Sequence, residues 1–479
     1  MIIAAVPNAE LMNRRMDSIS ELVAPLPQST HSFKPALDFV DDELYVTLPY
    51  LREDGGTAGL VLTNQQEVFP LCLEELRQRG FTVSNVLIKP EGQERIILAP
   101  TPLGRWSQAS VMRFLLGREL VDPCQLFDEI KAFFTQFVWF SDSRWYDYLT
   151  TLVMVSYVKP IFETVPIVGI NGPAESGKTR LLELLEQLVF NALFASSLTP
   201  ASMGRMIERD QVALLVDEAE ELSDYSRRNE VFKILRACYK KSGRRIVAAP
   251  GEGSVNEYSV YALTIVVNIA GFHPALMTRM VPIAMIPHKK MPQLIQHNEH
   301  QKIRDVRDEL YCFAMQSASK IAHLYHNARP IDGIQGRDDE VWVAPLTIAR
   351  LIDAYADAPG VFESLISLAH DVIQEKQQHA STTSLESVIL ASTYNYLMQS
   401  GQEYETNGVV ASMLRDFIAD QEQFKLKTEQ VGAILRRYGV FRTLPRRKWL
   451  YDHSGSKVQR VCYDFDLGKL QQLVKPLFE

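Results

Sequence analysis

Eight consecutive residues constrain this chain more than any other feature. Gly172, Pro173, Ala174, Glu175, Ser176, Gly177, Lys178 and Thr179 fit G-x-x-x-x-G-K-[ST] without a gap. Val165–Gly169 supplies an apolar run before the loop, read as a buried strand, and Lys178–Leu188 supplies an amphipathic helix after it. In that setting backbone N–H groups and the helix N-terminus cradle anionic phosphates. Lys178 is expected to reach the β- and γ-phosphates, and the Thr179 hydroxyl to sit on Mg²⁺. The expected ligands are therefore ATP and Mg²⁺.

Downstream residues complete a nucleotide-hydrolysing pattern. Val212–Val216 is a short apolar run, as expected of a buried parallel strand, and it ends in Asp217 and Glu218. Asp217 suits the metal shell, and Glu218 suits polarisation of an attacking water. Ala192–Ser196 reads as an inserted strand between these two, followed by Thr199 as N-cap and Pro200 as first helical residue. Leu263–Asn268 reads as a further strand, with Asn268 at its end as the residue that helps place the water. Arg279 follows where it cannot easily reach its own nucleotide but can complete a neighbour's, which requires a ring-like oligomer.

Strands and helices alternate between Val165 and Ile286, the pattern of an α/β domain with a parallel sheet. The whole is expected to divide into an arm (1–34), a β-rich plus helical domain (35–140), the ATPase core (141–290), a helical lid (291–400) and a C-terminal domain (401–479). Between Ala36 and Pro100, Leu44–Leu48, Gly59–Leu62 and Arg95–Leu98 look like strands. Helical spacing follows in Ser107–Gly117, Pro123–Phe140 and Arg144–Val158. The lid is mostly helical, with a break at Ile331–Asp339.

No apolar run reaches the ~18 residues of a membrane span. Met1–Glu10 carry no basic leader or cleavage site, so a cytoplasmic location is expected. Five singly scattered cysteines suggest neither a zinc site nor a disulfide framework.

The net charge of −8 means that nucleic-acid contact needs a local basic patch. Two candidates stand out. Tyr239–Tyr261 reads as a hairpin around Pro-Gly-Glu-Gly, with Lys240, Lys241, Arg244 and Arg245 at its base. It can point into a pore and grip phosphates, or it can be an exposed hairpin with solvated charges. Between Lys425 and Arg460 stand ten basic residues, Arg436, Arg437, Arg446, Arg447 and Lys448 among them, opposed by Glu429 and Asp452. There, helices Val409–Ala419 and Thr428–Gly439 precede strands Lys448–Asp452 and Val458–Phe465 and a final helix. This is a winged-helix pattern, which places one helix in the major groove while basic residues hold phosphates. The other reading is a basic face docked on the acidic ATPase body.

Together these residues resemble the AAA+ side of the P-loop ATPases, and more closely the superfamily 3 and minichromosome-maintenance-like helicases of phages and mobile elements. Within these, the chain is most similar to primase-helicase-like ATPases that end in a winged helix. Trp145–Thr179, Ser196–Met203, Leu214–Glu221 and Tyr261–Pro282 carry the resemblance, and Val341–Ala349 is similar to that family's lid helix. The resemblance implies a hexameric ring that translocates on or unwinds DNA during replication, with replication or defence partners at the N-terminal domain. The chain departs from the family in having Ala262 and Leu263 where a lysine precedes the sensor strand. Residues 1–150 show no polymerase-type acidic triad. Two other functions remain open: a DNA-binding ATPase switch without unwinding, and a protein-remodelling AAA+ ATPase.

Overall fold

The computed structural model of the 479-residue chain describes residues 32–51, 57–82, 86–88, 94–96, 105–118, 120–195, 199–217, 230–248, 255–268, 272, 274–288, 297–383, 385–400, 409–422, 427–451 and 456–475. Residues 1–31 of the expected arm, Glu218 and the Pro-Gly-Glu-Gly turn lie outside them, whereas Phe33, expected in the arm, is buried and its N–H donates to the Thr82 carbonyl (2.7 Å). Two compact units divide the chain, one running to His370 and the other from Asp371 to Glu479.

The first unit opens with an antiparallel meander of β1 (Leu37–Val40), β2 (Glu43–Leu51), β3 (Thr57–Thr63) and β4 (Val68–Pro70). Asp41 and Asp42, both left-handed, make the two-residue turn from β1 to β2, the twist that matches the flanking strands. Phe33, Tyr45, Val61, Phe69, Leu76 and Phe81 form its core. After α1 (Leu73–Gln78), the short strands β5 (Val86–Ile88) and β6 (Glu94–Ile96) pair with each other.

Three helices follow, α2 (Gln108–Leu115), α3 (Pro123–Phe137) and α4 (Arg144–Tyr157). Ser107 caps the first from its side chain, and Asp122 with Pro123 starts the second. From Asp147 to Tyr157 every residue of α4 is buried, which makes it an internal strut rather than a surface helix.

The central sheet contains five parallel strands. In chain order the elements are β7 (Ile167–Asn171), α5 (Lys178–Leu188), β8 (Ala192–Ala195), α6 (Pro200–Asp210), β9 (Ala213–Val216), α7 (Glu230–Ala237), the hairpin β10 (Arg244–Ala248) and β11 (Val255–Ser259), β12 (Thr264–Val267), α8 (Pro274–Met277) and β13 (Met280–Ala284). Their order across the sheet is β13-β7-β12-β9-β8. This corrects the expected strand order. The strand lying between the loop strand and the acidic strand is β12, whereas Ala192–Ala195 sits on the edge. The burial agrees: β9 and β12 are buried throughout, and β8 only partly, as an edge strand covered on fewer sides should be.

Helices α9 (His297–His326), α10 (Arg337–Asp353) and α11 (Val361–Thr383) follow, the break before α10 ending at Gly336. Trp342 of α10 is fully buried against Tyr148, ring centroids 5.2 Å apart.

The second unit takes in α12 (Leu385–Ser400), β14 (Val409–Val410), α13 (Ala411–Glu422), α14 (Thr428–Arg437), β15 (Phe441–Tyr451), β16 (Lys457–Phe465) and α15 (Leu467–Val474). Its sheet has three strands, β14-β16-β15, one more than expected. Val409 and Val410 pair with Tyr463 and Cys462 instead of starting the helix. Residues of α12, expected in the lid, share the core of this unit with Leu414, Val431, Leu435 and Phe465. A Cβ on Gly432 would come 2.5 Å from the Tyr463 hydroxyl, so glycine lets α14 press against β16.

Candidate nucleotide site

Every strand of the central sheet runs in one direction, so their C-terminal ends form a row. Val267 is level with Ile170, and Val266 with both Gly169 and Val216. Asn171, Asn268 and Asp217 therefore emerge side by side from β7, β12 and β9, the position at which open parallel sheets bind ligands. Backbone bonds fix this row: Asn268 N–H donates to the Ile170 carbonyl (3.1 Å), and Asp217 N–H to the Ala195 carbonyl (3.3 Å). Asn268 is buried, and Asp217 is half-buried.

The phosphate loop leaves β7 at this end. Gly177 (φ +91°) and Glu175 (φ +63°) are left-handed, the kind of alternation that turns successive N–H groups towards one point. A Cβ on Gly172 would fall 2.3 Å from the Met285 carbonyl oxygen, so a side chain there would drive the loop off the neighbouring strand. Lys178 opens α5, and its ammonium donates to the carbonyls of Gly172 (2.7 Å) and Pro173 (2.6 Å). Thr179 is exposed in the first turn of α5, Ser176 is buried, and Pro173 and Ala174 are exposed. The donor set fits a nucleoside triphosphate: converging N–H groups, a helix N-terminus and a lysine ammonium. It fits a divalent cation as well, through a hydroxyl and a carboxylate.

Arg279 lies at the other end of the sheet. Met280 pairs with Ile167, the first residue of β7, and Ile167 N–H donates to the Arg279 carbonyl. Four residues of strand separate this level from Asn171, about 13 Å. The guanidinium carbon of Arg279 sits 5.7 Å from the Tyr239 ring centroid. The Tyr239 hydroxyl donates to Glu340 Oε2 (3.2 Å), and the Lys240 ammonium to Glu340 Oε1 (2.6 Å). This ion pair raises the Lys240 pKa. Thr278 Oγ1 accepts from both Arg279 Nη1 (3.2 Å) and Arg337 Nη1 (3.1 Å). One carboxylate in the first turn of α10 thus holds both the ring beneath Arg279 and the lysine that leads into the hairpin. A cavity of about 570 Å³ opens beside it, lined by Glu163, Tyr325 and Arg329 among others.

The other basic residues at the hairpin base also have partners within the chain. Lys241 donates to the Pro160 carbonyl (2.8 Å) and lies 3.8 Å from the Glu163 carboxylate. Arg244 pairs with Glu257 (3.1 Å), and Arg245 donates to the Pro200 carbonyl (2.7 Å). Glu208 of α6 accepts the Ser259 N–H at 2.6 Å. These contacts fix where the hairpin leaves the sheet. In the second unit Arg436, Arg446, Arg447 and Lys448 are exposed, and the Arg437 side chain lies outside the described residues.

The sequence reading missed two groups. Glu340 stands in the acidic run Asp338-Asp339-Glu340, which suits the first turn of a helix, and nothing in the sequence ties it to Tyr239 a hundred residues earlier. Lys159 is buried, donates to the Tyr261 carbonyl (3.2 Å), and is held down to about 7 by that burial.

No protein-family profile matches the chain, and no curated protein matches its sequence. Among solved structures it is similar to the C-terminal region of NrS-1 at 11% identity and TM-score 0.34, covering 85% of this chain and 94% of that one. It is also similar to a full-length MCM homolog from Methanopyrus kandleri (12% identity, TM-score 0.33, 72% and 74% covered). A third likeness is to JCV helicase (12% identity, TM-score 0.26, 56% and 63% covered). TM-scores this far below 0.5 give these likenesses no weight in assigning a function. Among the described residues no helix is long and apolar enough to cross a membrane.

Proposed function

We propose that this chain is an ATPase of the AAA+ type that acts on DNA as a helicase or translocase, working as a ring, hexameric by the resemblance. The observation that carries the proposal is the row at the C-terminal end of the sheet, where phosphate loop, Asp217 and Asn268 emerge from three adjacent strands. The strand order supports it, because β12 intervenes between the loop strand and the acidic strand.

In this reading the loop N–H groups and Lys178 bind the triphosphate, so Lys178 exchanges its carbonyl partners for phosphate oxygens. Thr179 and Asp217 would hold Mg²⁺, which neutralises charge on the β- and γ-phosphates when bound. Glu218, next to Asp217, accepts a proton from the attacking water, and Asn268 orients that water. Arg279, at the far end of the sheet, serves the nucleotide of the adjacent subunit. Residues 35–140 form the collar or docking domain, the helices after 291 the lid, and the C-terminal unit a winged helix whose basic side chains bind DNA.

The test is ATP hydrolysis by the full chain with and without single- and double-stranded DNA, for wild type, Lys178→Ala and Glu218→Gln. DNA-stimulated hydrolysis that both substitutions remove supports the motor. Hydrolysis indifferent to every DNA tried overturns the helicase reading and leaves a protein-directed ATPase.

A further inference from the structure

An exposed face of the C-terminal unit has chemistry of its own. Strands β15 and β16 form an antiparallel ribbon with Arg447 opposite Val461, Trp449 opposite Gln459 and Tyr451 opposite Lys457. Side chains alternate across a strand, so Arg447, Trp449, Lys457, Gln459 and Val461 share one face. All five are exposed, Trp449 to 61% and Val461 to 39%. The other face is mixed: Arg446 and Lys448 are exposed, Leu450, Val458 and Arg460 are half-buried, and Cys462 is buried. An indole held in solvent forgoes the burial that usually draws tryptophan inward. Here it stands between two cations, with Arg447 and Lys457 each about 7 Å along the ribbon.

We propose that this face binds single-stranded nucleic acid, with Trp449 stacked on a base, Arg447 and Lys457 on the flanking phosphates, and the Gln459 amide at the base edge. The occupant follows from charge and shape. Ten basic residues against two acidic ones between Lys425 and Arg460, in a chain of net charge −8, select a polyanion. A flat, solvent-facing indole needs an open base face, which a single strand offers and a stacked duplex hides. The inference rests on the proposal that the C-terminal unit binds DNA, and it names the form of DNA that this face takes.

The experiment measures anisotropy of a labelled oligothymidylate and of a duplex of equal length on the full chain, for wild type, Trp449→Ala and Trp449→Phe. Since Trp449 is exposed, neither substitution disturbs the core of the unit. Trp449→Ala is expected to weaken oligothymidylate binding about tenfold while duplex affinity stays within about twofold, and Trp449→Phe to recover most of the loss. The salt dependence should be unchanged in both, because no charge is removed, and should flatten in Arg447→Ala/Lys457→Ala. Wild-type affinity for oligothymidylate in Trp449→Ala overturns the inference and leaves the DNA reading standing. Equal losses on both DNAs also overturn it, in favour of a wedge between duplex bases. A wild-type chain that hydrolyses ATP but binds neither DNA overturns the inference together with the DNA reading beneath it.

Discussion

The two ends of the central sheet are built on different principles. Where the strands finish, the functional groups are set by backbone: a parallel ladder brings Asn171, Asn268 and Asp217 into one row, and left-handed residues shape the loop. Where the strands begin, side chains hold one another. Arg279 lies on Tyr239, Tyr239 and Lys240 share Glu340, and Lys159 is buried nearby against Tyr261. In the proposed function the first end is the anion site, and the second is a side-chain network around Glu340. In the proposed ring the two ends belong to one composite site, each supplied by a different subunit.

Substitutions at the two ends should therefore fail in different ways. Lys178→Ala is expected to remove both nucleotide binding and hydrolysis, checked by fluorescent-nucleotide titration beside a turnover assay. Arg279→Ala is expected to keep nucleotide binding while hydrolysis falls on the order of 10³-fold. Loss of binding in Arg279→Ala would break the contrast, since it would put the arginine at its own subunit's nucleotide. Glu340→Ala should lower hydrolysis roughly tenfold with binding unchanged, as expected of a network position away from the nucleotide. Tyr239→Phe, which keeps the ring and loses only its bond to Glu340, should fall between Glu340→Ala and wild type.

Much of the first end was legible in the sequence because local pattern and backbone geometry determine it. The helix Lys178–Leu188 and the Thr199–Pro200 cap lie where propensity and spacing put them, while the strand before the motif, expected at Val165–Gly169, runs two residues later, over Ile167–Asn171. The order of strands was not legible, since pairing is decided by contacts between segments distant in sequence: β12 lies between β7 and β9 although about fifty residues separate it from β9. The Glu340 network was hidden for the same reason. Val409 and Val410 were read into a helix because their apolar pattern suits either state, and pairing with β16 decides for strand.

The smallest effect on activity is expected at Lys159. Burial holds its pKa down to about 7 from an ordinary 10.5. Between those values the unfolded chain binds a proton that the folded chain does not, so this group makes stability rise with pH across that window. Below pH 7 its full cost is present. Lys159→Met should flatten that slope in denaturant unfolding between pH 7 and 10 and leave hydrolysis at pH 8 near wild type.

The composite site is tested most directly by mixing two inactive chains, Lys178→Ala and Arg279→Ala, and measuring ATP hydrolysis. At some interfaces the first chain lends its intact Arg279 to the intact phosphate loop of the second. The account predicts that activity absent from either variant alone reappears in the mixture and passes through a maximum as the ratio is varied. A mixture that stays inactive at every ratio, with both variants shown to co-assemble, would contradict it and place Arg279 outside the site.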